Sequence, residues 1–346
     1  MKRPIIGITM GDPAGNGSEL TAKALSNANL YQTCRPVVIG DAACMEEAVR
    51  IAGKQGQISI HAIQNIQEAA FTAGTIDVYH MGLVDKAEHK FGQVSEMCGE
   101  AAFQYVKKVI ELAQAGKIDA TVTNALNKEA INLAGHHYSG HTEIYAKYTN
   151  TDKYTMMLAH ENLRVVHVST HVSLREACDR VKKDRVLEVI RIADRACRDL
   201  GITAPKIGVA GLNPHCGENG LFGTEETAEI QPAIEAAMAE GICIPEQKPT
   251  PPDSIFSKAI GGWYDIVVAM YHDQGHIPLK VKGFVYNQNL RKWDAVAGVN
   301  ITLGIPIIRV SVDHGTGFDL AGRGESNELS LVNAIDYAIR LAAKKT

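Results

Sequence analysis

Three histidines, His171, His215 and His272, each end an apolar run of the chain and open a polar segment. Ligands of an open parallel sheet collect beyond the carboxyl ends of its strands, so we expect the three imidazoles at one edge. Imidazole suits zinc, cobalt or iron, and three protein ligands leave coordination positions open for a substrate. The pattern predicts a site for one divalent metal ion. The alternative for each histidine is an ordinary hydrogen-bonded loop residue.

Two glycine-rich turns are candidates for binding an anion. The first, residues 11–17, lies between the first predicted strand and its helix, where backbone N–H groups can cradle a phosphate. It matches neither the dinucleotide fingerprint nor the Walker A pattern, and the alternative is a tight turn without a ligand. The second, residues 313–324, follows a late strand, and glycines this dense suggest a backbone that approaches a ligand closely.

A third anion candidate is the predicted helix start at residues 139–143. Thr142 is expected to cap this helix, whose exposed N–H groups favour a negative charge. Lys280 and Arg309 are the cations that we place near the substrate. Asp273 and Asp253 are candidates for the general base, or for partners that orient the histidines.

The elements that must position these residues alternate between short β-branched runs and helical stretches, which predicts an α/β fold with a mostly parallel sheet covered on both faces. One region departs from the alternation: the apolar runs 155–160 and 163–169 flank Glu161-Asn162 and predict a β-hairpin. An apolar stripe from Val332 to Ala342 predicts a last helix, with Ser326 as its N-cap.

Composition limits the class of protein further. The 346 residues allow two domains, and the formal net charge of -4 argues against a large nucleic-acid surface. No apolar stretch approaches the length of a membrane helix, and the N-terminus lacks the core of a signal peptide. The seven cysteines form no CxxC pair, so we expect reduced thiols and a cytoplasmic location.

Six segments together resemble the 4-hydroxythreonine-4-phosphate dehydrogenase family, and the resemblance runs from about residue 5 to about residue 340. The segments are MGDPAG (10–15), GHTE (140–143), LNPH (212–215), AMYHDQG (269–275), GVNITLG (298–304) and SVDHGT (311–316). The resemblance implies a homodimer of two-domain α/β subunits that are distantly related to the isocitrate and isopropylmalate dehydrogenases. It also implies an active site in the cleft between the domains, at the dimer interface.

The family's functional residues carry over to matching positions of this chain. Its three metal-binding histidines match His171, His215 and His272, and the ion would be zinc, cobalt, magnesium or manganese. Its substrate contacts match His141, Thr142, Lys280, Asn300 and Arg309. The resemblance moves the expected NAD site from residues 11–17 to the late turn, at His314, Gly315, Thr316 and Gly322. A first domain is expected over 1–130 plus 305–346, and a second, with the metal histidines and the dimer interface, over 131–304.

One stretch departs from the vitamin B6 enzyme of this family, which has only a couple of residues where this chain has residues 285–297. The extra stretch lies between two expected substrate residues, Lys280 and Asn300. It resembles a paralogous branch that acts on 4-phospho-D-threonate or 4-phospho-D-erythronate in sugar-acid catabolism. The alternative is a surface loop that leaves the substrate unchanged.

The expected reaction is oxidation of the C3 hydroxyl by NAD, followed by decarboxylation of the β-keto acid to dihydroxyacetone phosphate. Lys280 would supply the acid of the second step or pair with the phosphate. One alternative is the enzyme of pyridoxal phosphate biosynthesis that oxidises 4-phosphohydroxy-L-threonine. Another is a sensor on the same scaffold that binds a phosphorylated metabolite without catalysis.

Overall fold

A computed structural model describes residues 3–288 and 292–343 of the chain, with the side chains of 292–296 left undescribed. Residues 289–291 of the extra stretch therefore lie outside the described part. The chain divides into two compact units. Unit 1 comprises 1–152, 294–299 and 305–346, and unit 2 comprises 153–293 and 300–304. Residues 131–152, which the sequence-based division assigns to the second domain, belong to unit 1.

The strands are short and most are buried along their length. In chain order they are β1 (Ile5–Thr9), β2 (Arg35–Gly40), β3 (Ser59–Ile63), β4 (Thr75–His80), β5 (Ala120–Thr123), β6 (Thr155–His160), β7 (Leu163–His167), β8 (Ile207–Val209), β9 (Ile266–Ala269), β10 (Phe284–Asn287), β11 (Lys292–Val296), β12 (Val299–Leu303) and β13 (Arg309–Val312).

The helices alternate with these strands. They are α1 (Gly17–Leu25), α2 (Leu30–Thr33), α3 (Ala42–Ile51), α4 (Glu96–Gln114), α5 (Lys128–Leu133), α6 (His141–Tyr148), α7 (Leu174–Asp179), α8 (Lys183–Asp199), α9 (Gln231–Ala239), α10 (Pro252–Ile260), α11 (His272–Gly283) and α12 (Leu329–Ala342).

Unit 1 is built on parallel strands in the order β3-β4-β2-β1-β5-β13. The central strands are apolar without alternation because helices cover both of their faces. Ile6, Ile8, Val38 and Val122 are fully buried there. Each such side chain contributes about 1.5–3 kcal/mol of burial free energy. Because β1, β5 and β13 run in one direction, their carboxyl ends meet at one edge of unit 1.

Unit 2 has the strand order β12-β6-β7-β9-β8. Strands β6 and β7 pair antiparallel, which confirms the predicted hairpin, whereas β7, β9 and β8 are parallel. Its apolar core includes Leu158, Val165, Ile255, Val267 and Leu279. Within the extra stretch, β10 and β11 form a separate two-stranded sheet. The predicted α/β class with a mostly parallel sheet is therefore confirmed.

The predicted cap of the last helix is wrong. The helix α12 begins at Leu329, three residues after Ser326. The Ser326 N–H instead donates to the buried Glu19 carboxylate of α1 at 2.9 Å, and Lys23 donates to the Ser326 carbonyl at 2.6 Å. These contacts come from a helix near the other end of the chain, so a local capping pattern could not reveal them.

Candidate active site

Two of the three predicted metal histidines lie together in unit 2. His171 follows β7 and His272 follows β9, and these strands are parallel neighbours. The two ring centroids are 5.7 Å apart, at an interplanar angle of 48°. His272 does not open a loop as expected but is the first residue of α11. The register of two adjacent strands thus brings both imidazoles to the same edge.

Asp273 orients the His272 ring. The Nδ1 atom of His272 lies 2.6 Å from Oδ1 of Asp273. A carboxylate at one ring nitrogen fixes the tautomer and leaves the other nitrogen, Nε2, with its lone pair available for a cation. The Asp273 side chain is mostly exposed and partnered by this imidazole, so it fits the role of an orienting partner.

His215 lies in an unusual turn that follows β8. Residues 215–219 all have positive φ, with His215 itself at 52°. For residues with a Cβ this left-handed conformation costs roughly 1–2 kcal/mol each, and such strain is typical of functional sites. The His215 ring centroid is 6.5 Å from that of Phe222. Within residues 3–288 and 292–343, no three His, Cys, Asp or Glu side chains are grouped closely enough to hold a metal ion.

The chemistry of the donors nevertheless fits a divalent cation. His171 and His272 supply two imidazoles on adjacent strands, and Asp273 holds one of them in the tautomer that a ligand needs. The ligands expected from the sequence are His171, His272 and His215. The structure brings the first two together and does not bring His215 into that group.

Two further histidines beside the pair were missed by the sequence reasoning. His276 stacks on His272 at a centroid distance of 3.6 Å, and its Nδ1–H donates to the His272 carbonyl at 2.9 Å. The ring centroid of His167 lies 4.7 Å from that of His276. Burial lowers the pKa of His167 to about 3 and that of His276 to about 4, so both rings are neutral at pH 7. The four-residue spacing from His272 to His276 could have indicated the stack.

The other predicted residues of unit 2 lie on different elements. Lys280 is on α11, with its ammonium 4.9 Å from the centroid of the Phe284 ring. Asn300 is on β12 and donates to the sulfur of Met156. Asp253 is exposed in the first turn of α10. Among residues 3–288 and 292–343, no hydrogen bond joins Asp253 to the histidine pair.

Of the residues expected at the anion site, Arg309 and the helix start at 139–143 lie in unit 1, whereas Lys280 lies in unit 2. Arg309, 3% exposed, begins β13 and donates to the Thr123 hydroxyl of β5 at 2.9 Å. Its guanidinium lies 5.5 Å from the ring centroid of Tyr145. Burial lowers the Arg309 pKa to about 10, so the group remains cationic at neutral pH. A buried guanidinium with fork geometry suits a phosphate or a carboxylate.

His141 and Thr142 begin α6, on the same unit as Arg309. Thr142 makes no capping hydrogen bond, and the N-cap is Gly140, so that predicted cap is wrong. Glu143 instead accepts hydrogen bonds from the backbone N–H and the hydroxyl of Ser139. Burial and the Arg309 charge hold the His141 pKa well below its usual value. The buried Nε2 atom of His141 makes no hydrogen bond within the described part of the chain.

The two glycine-rich turns, which the sequence treats as alternative cofactor sites, contact each other in unit 1. The Asn16 N–H donates to the Thr316 carbonyl at 2.9 Å, and a Cβ built on Gly15 would lie 2.8 Å from the same oxygen. The Nδ1 atom of His314 lies 2.8 Å from the Gly315 carbonyl oxygen. A Cβ on Gly315 would meet only open space.

Two features of these turns were not foreseen. Gly322 has φ 79°, and a Cβ there would lie 2.8 Å from the Phe91 ring, so glycine is required for this close approach. Asp12 is 1% exposed, accepts the Ala14 N–H at 2.9 Å, and has its pKa raised to about 6 by burial. Neither residue spacing nor composition predicts that the Asp12 carboxyl is buried.

The chain is an α/β protein with two imidazoles that follow parallel strands, a buried guanidinium and glycine-rich turns. Comparison with known proteins gives its family. The model of the family described as pyridoxal phosphate biosynthetic protein PdxA matches residues 32–338. The chain therefore belongs to the PdxA family.

Relatives in other organisms cover the whole chain. A protein of Cupriavidus necator named D-threonate 4-phosphate dehydrogenase is 45% identical over 99% of this chain and 98% of its own length. A 4-hydroxythreonine-4-phosphate dehydrogenase of Burkholderia phymatum is 44% identical, with a TM-score of 0.82 over 99% of both chains. One from Klebsiella pneumoniae is 42% identical, with a TM-score of 0.85 over 98% of both chains. The resemblance expected from the motifs and the prediction of an oxidoreductase are confirmed at this level.

A membrane span is not found among the helices of the described residues: none combines the length and the apolar character that crossing a bilayer requires.

Proposed function

We propose that the chain is a divalent-metal-dependent NAD dehydrogenase of a phosphorylated hydroxy acid, 4-phospho-D-threonate or 4-phospho-D-erythronate. It would oxidise the C3 hydroxyl and decarboxylate the resulting β-keto acid to dihydroxyacetone phosphate. The observation that supports this substrate is the 45% identity, over nearly the whole of both chains, to a protein named D-threonate 4-phosphate dehydrogenase.

The buried guanidinium of Arg309 supports an anionic substrate. Its charge, buried in unit 1 beside the neutral His141 ring, would attract the phosphate or the carboxylate of the acid. Thr142 at the start of α6, with Lys280 and Asn300 of unit 2, completes the proposed substrate set.

The proposed metal residues are His171, His272 and His215. When bound there, a divalent cation would lower the pKa of the substrate hydroxyl and stabilise negative charge on its oxygen. Asp273 keeps His272 in the ligating tautomer through the hydrogen bond at Nδ1. The rings of His276 and His167 lie beside the pair and are neutral, so they add no positive charge there.

The first step moves one proton and one hydride. A base of the protein would take the hydroxyl proton, and bound NAD would supply the acceptor for the hydride from C3, so that the products would be a β-keto acid and NADH. Asp253 and Asp273 both stay candidates for that base. Asp253 is exposed and makes no hydrogen bond to the histidine pair among the described residues, whereas Asp273 binds His272. For the cofactor we propose His314, Gly315, Thr316 and Gly322.

The second step breaks the bond between C2 and the carboxyl carbon. The electron pair of that bond becomes an enolate as carbon dioxide leaves, and an acid then protonates the carbon to give dihydroxyacetone phosphate. We propose the Lys280 ammonium as this acid, or as a partner of the phosphate. Replacing Lys280 by Met would separate the roles: loss of the acid lowers kcat, whereas loss of the partner mainly raises KM.

The other proposed partner is a second copy of the chain. Ile277 and Val281 lie one turn apart on α11, and Val285 and Tyr286 follow on β10; all four are more than half exposed. Exposed apolar residues this close together in the chain support a homodimer contact of unit 2. The family resemblance implies the same assembly. We propose that the protein works in the cytoplasm.

A second candidate is the oxidation of 4-phosphohydroxy-L-threonine, because two solved relatives at 42% and 44% identity are named for that substrate. The deciding experiment is steady-state NADH formation with 4-phospho-D-threonate, 4-phospho-D-erythronate and 4-phosphohydroxy-L-threonine, with added Zn²⁺, Mn²⁺ or Mg²⁺. We expect the highest kcat/KM with one of the first two acids. Preference for the amino acid would select the second candidate, and no turnover with any of the three would contradict both.

A further inference from the structure

The turn that carries His215 needs support from outside itself. His215, Cys216, Glu218 and Asn219 have φ between 43° and 57°, with Gly217 at 79° between them. This left-handed conformation is unfavourable for residues with a Cβ, so a run of this length persists only where surrounding contacts hold it.

The carboxylate of Glu226 lies directly against this turn. Its Oε1 atom accepts the backbone N–H groups of Leu212 at 2.8 Å and of Asn213 at 2.7 Å. Its Oε2 atom accepts the Asn213 side-chain amide at 3.0 Å. A Cβ built on Gly217 would lie 2.9 Å from Oε2, so the carboxylate fills the inside of the turn. Glu226 is 3% exposed.

Glu226 binds the residues that lead into the turn and lies against the middle of the turn. Leu212 and Asn213 come immediately before Pro214-His215, and Gly217 comes two residues after His215. A carboxylate has two acceptor oxygens, whereas an amide has one and would turn its NH₂ group toward one of these donors. Cys216 adds only a weak contact, in which its Sγ donates to the Pro249 carbonyl at 3.4 Å.

We propose that Glu226 is a positioning residue that fixes this turn and thereby the direction in which His215 faces the proposed cation. The inference rests on the proposed function in one respect, namely that His215 is a metal ligand. It assigns a role to a buried carboxylate that would itself touch neither the cation nor the substrate. Groups of this kind, one step removed from the ligands, typically change metal affinity by 10- to 100-fold.

The test compares Glu226→Gln with Glu225→Gln in the full-length protein. Glu225 is the adjacent residue and also accepts the Asn213 side-chain amide, at 2.7 Å, but it binds neither backbone N–H. Glu226→Gln keeps the size of the side chain and places an NH₂ group among N–H donors. The matched control undergoes the same chemical change at a neighbouring and more exposed position.

The first measurement is backbone hydrogen exchange of the metal-free protein, read on the peptide that contains residues 212–217. We expect exchange at Leu212 and Asn213 to become at least 10-fold faster in Glu226→Gln and to stay unchanged in Glu225→Gln. The second measurement is calorimetric titration with Zn²⁺, where we expect affinity to fall about 10- to 100-fold in Glu226→Gln only. Thermal unfolding of both variants shows whether a loss is local.

The outcomes separate this inference from the proposed function. If His215→Ala and the unaltered protein bind Zn²⁺ with equal affinity, the ligand role of His215 is wrong. The exchange data then still test whether Glu226 fixes the turn. Equal exchange and equal Zn²⁺ affinity in Glu226→Gln and Glu225→Gln overturn the positioning role. If Glu226→Gln does not fold, Glu226→Asp, which retracts the carboxylate by one methylene, is expected to show the same two losses, and unchanged exchange there overturns the role as well.

Discussion

The rings of His171 and His272 lie 5.7 Å apart because their strands, β7 and β9, are parallel neighbours in unit 2. Asp273, next to His272 in the chain, binds the Nδ1 atom of that ring. The pair and its carboxylate give unit 2 a preformed part of the proposed metal site. The remaining part depends on the turn of His215.

Asp273→Asn should weaken metal binding. The amide cannot hold His272 in its tautomer as a carboxylate does, so we expect Zn²⁺ affinity to fall about 10- to 100-fold, measured by calorimetry. Asp179→Asn, at an exposed aspartate that ends α7, is the control and should bind as the unaltered protein does. Equal affinities for the two variants would rule out the orienting role.

Arg309→Lys should impair the binding of the phosphorylated acid. Lysine keeps the charge but loses the planar fork and the hydrogen bond to Thr123, and a charge-assisted hydrogen bond is worth about 1.5–3 kcal/mol. We expect kcat/KM to fall on the order of 10- to 100-fold, mainly through KM. Arg340→Lys, on the exposed side of α12, should change neither constant. A normal KM for Arg309→Lys would speak against the substrate contact.

Gly15→Ala should disturb the proposed cofactor site. The added Cβ would lie 2.8 Å from the Thr316 carbonyl, so the two glycine-rich turns must separate. We expect the KM for NAD to rise on the order of 10-fold, because displacements of about 1 Å are costly in a positioned site. Gly261→Ala, where the nearest atoms are 3.4 and 3.5 Å away, tests whether any added methyl has this effect. An unchanged KM in Gly15→Ala would remove the turns from the cofactor site.

Asp12→Asn should stabilise the protein at alkaline pH. Burial raises the pKa of this carboxyl from 3.8 to about 6, so the stability that its protonated form confers is complete below pH 3.8 and is lost as the pH rises through 6. We expect the variant to gain up to about 3 kcal/mol of unfolding free energy at pH 8 and little at pH 4. Urea unfolding of the metal-free protein at both values measures this. A gain of equal size at both would show that ionisation is not its cause.

Val281→Glu should shift the protein from dimer to monomer. Val281 is 78% exposed and is one of the exposed apolar residues of α11 and β10. Two buried glutamates in a symmetric contact would repel each other and lose hydration. Sedimentation velocity measures the change. Leu174→Glu, at an apolar residue 63% exposed on α7, should leave the association state unaltered. A dimeric Val281→Glu protein would place the contact elsewhere.

The parallel α/β class, the β6–β7 hairpin and the adjacency of His171 and His272 follow from patterns that are local in the chain. Apolar runs identify strands, and the rule that ligands gather at strand ends selects these histidines. His276 was within reach of the same reasoning, because its spacing from His272 is that of one helical turn.

Other contacts could not be predicted because they join residues that no periodicity relates. Glu19 binds the backbone of Ser326, although 307 residues separate them, and so a local capping rule gave the wrong role for Ser326. The Glu226 carboxylate accepts a hydrogen bond from the Asn213 backbone N–H, which lies 13 residues earlier in the chain and before an irregular turn. A buried carboxylate looks like any surface glutamate until the backbone donors around it are known.

The order of strands in unit 1 has a consequence for how the protein is made. Strand β5 pairs with β1 and with β13, and β13 is synthesised only after the whole of unit 2. During translation one edge of β5 therefore stays unpaired until β13 has left the ribosome, and an unpaired strand edge favours aggregation of nascent chains. Premature termination after unit 2 would leave that edge permanently open, so cells that express truncated chains should accumulate them as insoluble protein.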